Sequence, residues 1–259
     1  MVRGIKKFQE HFSEYHDSYV IIGGAACDEW FSSQGMHFRA TKDIDMIIIL
    51  EAVTADFYLC FREFVKLGGY RSIQKSTGDK NYYRFTSPTK ADYPVMIELF
   101  ARKPMEIKLH PDQNIVPLPV DEDISSLSAI LMDEGYYQVV MELRKVIDGG
   151  LPVVTPAGLI ALKAKAWLDL SQRRSSGQKV DRRDIDKHRN DVFRLTVLLV
   201  GGENYKLPPE IAEELRTFLE SFPIDSPDWQ AISAALKASG ITTSPDRLIQ
   251  TLRDYFVIE

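Results

Sequence analysis

A hydrophobic run, Tyr19–Ile22, drives straight into the pair Gly23-Gly24. After a short helix-forming stretch, two carboxylates, Asp43 and Asp45, open a second hydrophobic run. No other feature constrains the chain as much. The spacing predicts strand, turn, helix and strand in that order. Side chains at i and i+2 of a strand share a face, so Asp43 and Asp45 point the same way, their Cα atoms about 6.6 Å apart at a rise of about 3.3 Å per residue. Beyond them Met46, Ile47, Ile48, Ile49 and Leu50 are apolar on both faces, the mark of a central buried strand. Two carboxylates entering such a strand are costly without a cation or a donor. That cost argues against a plain hairpin turn at the glycines beside a solvent-facing acid pair. Paired carboxylates of this kind can hold divalent ions about 3.5–4 Å apart, the arrangement of two-metal phosphoryl transfer. The glycines let a phosphate approach the backbone where the next helix begins, and the free N–H groups there favour an anion.

The remaining pattern predicts a two-part chain of 259 residues. Helical spacing is expected over 5–15, 25–33 and 55–67, and strands over 18–22, 41–50, 82–86 and 95–100. A Pro-containing stretch, Pro111 to Pro119, leads to a mixed segment over 125–147. Gly149-Gly150 and Pro152 then mark a boundary, giving domains 1–150 and 151–259. Everything later reads as helices: 156–171, opened by Thr155 as N-cap and Pro156 at the first helical position, then 182–200, 209–222, 228–238 and 245–256. The class expected is α/β, a mixed sheet followed by a helical domain. With a net charge of -5, contact with nucleic acid would need a local basic patch. Cys27 and Cys60 make no metal spacing and no disulfide framework, so a cytoplasmic, reduced protein is expected. The N-terminus is too charged for a signal peptide, and no apolar stretch approaches the ~18 residues of a membrane span, so no membrane partner is expected.

Gly23, Gly24, Asp43 and Asp45, in that order on strand, helix and strand, resemble the DNA polymerase β-like nucleotidyltransferase superfamily. The resemblance implies a third metal carboxylate on a later strand of the same sheet. Glu98, a lone acid inside an apolar strand, is the candidate, although the superfamily more often has Asp there. The competing reading is a buried Glu paired with an arginine such as Arg84. On the helix from Pro156, Lys163 lies against the apolar stripe of Leu159, Leu162, Ala166 and Leu170, while Lys165 is expected to face solvent. Lys163 either meets an anion or snorkels to water. The segment Arg173 to Asp191 is densely basic, and Asp184, Lys187, His188 and Asp191 share one helix face. It reads as a phosphate or RNA grip, or as an exposed helix laced with ion pairs.

With these later segments, the chain resembles the AbiEii-type nucleotidyltransferases, toxin components of type IV toxin–antitoxin systems. The resemblance covers about residues 19 to 195. It implies two Mg²⁺ ions held by Asp43, Asp45 and Glu98, phosphates cradled by Gly23 and Gly24, and a nucleotide-phosphate contact from Lys163. It also implies a last acid needed for activity, Asp184 or Asp191, because the usual spacing of that motif is stretched here. Arg39 and Lys42 are further phosphate candidates. The reaction implied is transfer of a nucleoside monophosphate from an NTP to an acceptor hydroxyl, on RNA such as the tRNA 3′ end, with the helical domain completing the cleft and an antitoxin encoded nearby. The alternatives are a small-molecule or protein acceptor, and a non-catalytic nucleotide-binding or interaction module of the same fold. A dinucleotide-binding domain is a poor fit, because Gly23-Gly24 lacks the G-x-G-x-x-G pattern.

Overall fold

The structure is a computed structural model that describes residues 2–72, 83–103, 115–117, 128–147 and 149–258. The described residues form a mixed α/β protein. The chain divides into two compact units, Met1–Glu29 with Ala40–Val154, and Trp30–Arg39 with Thr155–Glu259. No described helix is long and apolar enough to cross a membrane. The segment over 104–114 and that over 118–127 lie outside the described residues, and with them most of the Pro111–Pro119 stretch.

The first unit is built on one mixed sheet. Its elements in chain order are α1 (Ile5–His11), β1 (Tyr19–Ile22), α2 (Gly23–Ser33, which runs on into the second unit), β2 (Asp43–Ile48) and α3 (Ala55–Gly68). Then come β3 (Arg71–Ser72), β4 (Arg84–Thr86), β5 (Met96–Ala101), β6 (Ile115–Pro117), β7 (Ser128–Leu131), α4 (Glu134–Glu142), β8 (Arg144–Ile147) and β9 (Leu151–Val154). The strands lie in the order β3-β4-β5-β2-β1-β9-β8, with β7 beside β5 and β6 beside β7. β2 is central, antiparallel to β1 and parallel to β5. Both faces of β1 are buried, as its unbroken apolar run requires. One face packs on an aromatic cluster in which Phe8 and Phe12 lie 4.5 Å apart and Phe8 meets Tyr19 at 5.6 Å. α3 supplies Phe57, Phe61 and Phe64 to this core at helical spacing. Thr54 caps it, accepting from the Phe57 amide, and Gly69 ends it in the left-handed conformation.

Several boundaries differ from the sequence reading: the helix expected over 5–15 ends at His11, the strand over 41–50 is Asp43–Ile48, and the helix over 182–200 ends at Leu195. Gly149 and Gly150, both at positive φ, turn the β8–β9 hairpin inside the sheet. The units divide after Val154 instead, and residues 30–39 go with the helices. The expected strand over 82–86 is β4 from Arg84; Tyr82 lies outside the described residues.

The second unit is helical: α5 (Pro156–Ser175), α6 (Arg182–Leu195), a 3-10 turn at Thr196–Leu198, α7 (Pro209–Glu220), α8 (Asp228–Lys237) and α9 (Pro245–Phe256). Its core is aromatic, with Phe193 5.6 Å from Phe218 and 4.9 Å from Trp229. Thr155 stands at the N-cap of α5 but makes no capping bond, so Pro156 alone marks that start. Asp181 caps α6 through the Arg183 amide.

Candidate active-site carboxylates and a buried ion cluster

Strand register assembles the first site. Asp45 lies opposite Ile22 on β1 and opposite Glu98 on β5, and Glu98 lies opposite Arg84 on β4. Residues paired across strands share a face, so Arg84, Glu98, Asp45 and Ile22 form one row. Asp43, two residues before Asp45, shares that face beside Met96. Ile22 ends β1, so the chain turns into α2 just where the Asp45 carboxylate stands. Gly23 makes the turn with φ +66. A Cβ there would sit 2.0 Å from Asp45 Oδ2, so only glycine fits, for want of space as well as for its backbone angle. Gly24 is buried in the first turn of α2.

Asp43 and Asp45 are each partly accessible, whereas Ile44 between them is fully buried. Glu98 is buried and turned along its row: the Arg84 Nε donates to its Oε1 at 2.5 Å. Among the described residues no three His, Cys, Asp or Glu side chains gather closely enough to hold a metal ion. Asp45 and Glu98 are therefore neighbours, but the expected three-carboxylate cluster is not formed; Glu98 keeps the arginine partner. The oxygen-only pair Asp43 and Asp45, set against the one residue that leaves room beside Asp45, fits a hard divalent cation such as Mg²⁺.

The second unit holds a different constellation. Asp191, on α6, is fully buried. Arg39 grips it through two hydrogen bonds, Nε to Oδ1 at 2.9 Å and an Nη to Oδ2 at 2.6 Å. Arg194, one turn further along α6, donates to Oδ1 at 3.0 Å, and Lys163 Nζ lies 3.4 Å from Oδ2. Burial opposes ionisation of Asp191, but Lys163, Arg39 and Arg194 together outweigh it and hold the carboxyl below its usual range. Lys163 is 5% exposed, so it does not snorkel; it meets an anion, and the anion is Asp191. His188 lies one turn before Asp191. Desolvation first, then the positive charges of Lys163 and Lys187, push its imidazole down to about 3.

Lys42 and Asp184 are exposed. Asp184 and Asp191 occupy one helix face as expected, but most buried residues of α6 lie in its C-terminal half, and Asp191 is among them while Asp184 is exposed. Lys165 does not face open solvent: it donates to Glu214 of α7 at 2.5 Å, because α7 covers that side of α5. In the basic segment Arg173, Arg174, Arg182 and Arg183 are exposed, whereas Arg189 is buried and paired with Asp228 at 2.9 Å. Arg194 was not singled out in the sequence, although its place at i+3 from Asp191 is a helix-pair signal. Comparison with models of protein families returns no match, and no curated protein is significantly similar to the chain.

Proposed function

We propose that the chain is a Mg²⁺-dependent nucleotidyltransferase that moves a nucleoside monophosphate from an NTP to an acceptor hydroxyl and releases pyrophosphate. One observation carries this reading: Asp43 and Asp45 share a face of the central strand, and the Asp45 carboxylate stands against a glycine turn that opens a helix. Asp43 and Asp45 would hold magnesium, with Glu98 as a third ligand on leaving Arg84. The chemistry magnesium supplies when bound is neutralisation of the triphosphate and a lowered pKa for the attacking hydroxyl. The amides of the first turn of α2 bind phosphate oxygens, and the missing Cβ at Gly23 makes room for the Asp45 carboxylate beside them. The polymerase β-like superfamily and its AbiEii-type members fit this arrangement best. In that reading the acceptor is RNA, such as the tRNA 3′ end, and an antitoxin is the partner. Four exposed arginines, Arg173, Arg174, Arg182 and Arg183, support an RNA acceptor in an otherwise acidic chain. Lys163 and Arg39 serve first as partners of Asp191, which is the acid of the last motif that the fold buries.

The Arg84–Glu98 pair favours a second reading, a nucleotide-binding module without turnover. The two separate in one assay. The protein is incubated with each labelled NTP, Mg²⁺ and a total tRNA pool, and the label is located. Label on RNA in the wild type, lost in Asp43→Asn and Asp45→Asn, supports the transferase. NTP binding with no turnover on any acceptor supports the module.

A further inference from the structure

We infer that the helical unit carries a second, metal-independent site for a nucleoside phosphate, in a groove between the C-terminal half of α5 and the N-terminal half of α6. The groove has a volume of about 450 Å³, within the range of small-ligand sites. Its floor is apolar and aromatic: Trp167 packs against Phe222 with ring centroids 5.1 Å apart, and Ile185 closes one side. Its rim is cationic. Arg174 and Arg182 both line it, and the Arg182 side chain is 72% exposed. Ser171 and Ser175 line it as well.

Two carboxylates line the groove as well, and Asp186 stands beside the rim, 3.8 Å from Arg182. Arg189, almost fully buried, takes Asp228 at 2.9 Å and Asp186 at 3.3 Å. An ionised carboxylate offers about four acceptor positions, so Asp186, which also meets Arg182, and Asp228, which also accepts from Ser226 at 3.3 Å, each keep acceptor capacity after these pairings. Three chemistries therefore meet within one ligand's length. An aromatic floor offers stacking to a base, which contributes about 1–3 kcal/mol. Carboxylate acceptors suit an exocyclic amino group, as on adenine or cytosine, and disfavour uracil, which presents a carbonyl there. Guanidinium groups suit a phosphate, which they bind through paired hydrogen bonds. A nucleoside monophosphate satisfies all three, either free or as the terminal residue of a strand. Inorganic phosphate would satisfy only the rim.

The test is calorimetric and fluorimetric titration of the full-length protein in EDTA, which silences any metal-dependent binding at Asp43 and Asp45. The probes are AMP, UMP, adenosine, inorganic phosphate and a short oligoadenylate. The expected result is AMP binding in the range of about 10 µM to 1 mM, with UMP weaker. The Arg174→Ala/Arg182→Ala variant should weaken AMP about tenfold or more while leaving adenosine unchanged. Trp167→Phe should remove the fluorescence response. Both arginines are exposed, so the double variant keeps the fold. An oligoadenylate that binds more tightly than AMP identifies the ligand as a strand end, and equal affinities identify it as the free nucleotide; either supports the site. The inference is overturned if AMP gives no heat or fluorescence change by about 10 mM, if the double variant binds AMP as the wild type does, or if inorganic phosphate binds as well as AMP. Asp45→Asn in parallel should leave this binding intact, so failure here is distinct from failure of the transferase reading.

Discussion

Replacing Asp191 by Asn tests whether the helical unit is held by its buried ion cluster. The carboxylate has no solvent exposure and accepts from Arg39 twice and from Arg194 once, with Lys163 3.4 Å away. Asn keeps the shape but removes the charge and one acceptor. Three cations then surround a neutral amide, and Lys163 and Arg194 are themselves 5% and 6% exposed. Breaking a buried pair by removing one partner costs about 3–5 kcal/mol, because the charge left behind is uncompensated. All three tryptophans, Trp30, Trp167 and Trp229, belong to the helical unit, so tryptophan fluorescence in urea reports its unfolding. With an m-value of about 2 kcal/mol/M, the midpoint should fall by about 2 M. Asp184→Asn, at an exposed site on the same helix face, should change stability by no more than about 0.5 kcal/mol. Arg39→Met added to Asp191→Asn should recover part of the loss, since it removes one uncompensated charge. A loss below about 1 kcal/mol in Asp191→Asn would refute the argument, because it would mean that water already compensates the three cations.

Three further outcomes follow from the geometry. The unfolded chain protonates His188 near its ordinary 6.5, but the folded chain protonates it only near about 3; stability should therefore be full above pH 6.5 and decline as pH falls through that window, by up to about 1.4 kcal/mol per pH unit. Asp191, held low, adds its own loss at the acid end as pH falls through its folded value, and His188→Gln should flatten urea-midpoint profiles between pH 6.5 and 4 while leaving the Asp191 part. Gly23→Ala forces a Cβ onto the Asp45 carboxylate in a left-handed turn, so it should lower stability by about 1–3 kcal/mol and abolish nucleotide transfer; a variant with wild-type midpoint and turnover would show that the turn is not constrained. Arg84→Met should free Glu98 and tighten Mn²⁺ binding measured by electron paramagnetic resonance, and Glu98→Gln in that background should reverse the gain; unchanged Mn²⁺ affinity in both would remove Glu98 from the metal set.

The acid pair and its glycine turn were legible in the sequence because they depend on local rules. Alternation on a strand sets the common face of Asp43 and Asp45, and an apolar run on both faces marks β2 as central. The 3.6-residue repeat placed Lys163 beside Leu159, and both are buried, but the rest of the expected stripe, Leu162, Ala166 and Leu170, is only half-buried, because α5 buries its N-terminal half nearly all round. Partners were not legible, because they come from elements far apart in the chain. Arg39 and Asp191 are 152 residues apart, and no periodicity links them. Asp184 and Asp191 are equivalent on a helical wheel; tertiary packing buries Asp191 and leaves Asp184 exposed, and this separates them. Lys165 was expected in solvent because the pattern of one helix cannot show that a third helix covers its far side and places Glu214 there. For Glu98 the sequence offered two partners, a metal or Arg84; strand register sets it between Asp45 and Arg84, and its side chain turns to the arginine. Local spacing fixes the direction a side chain takes from its own element. The charge it meets depends on how the elements pack, and only the tertiary structure decides that.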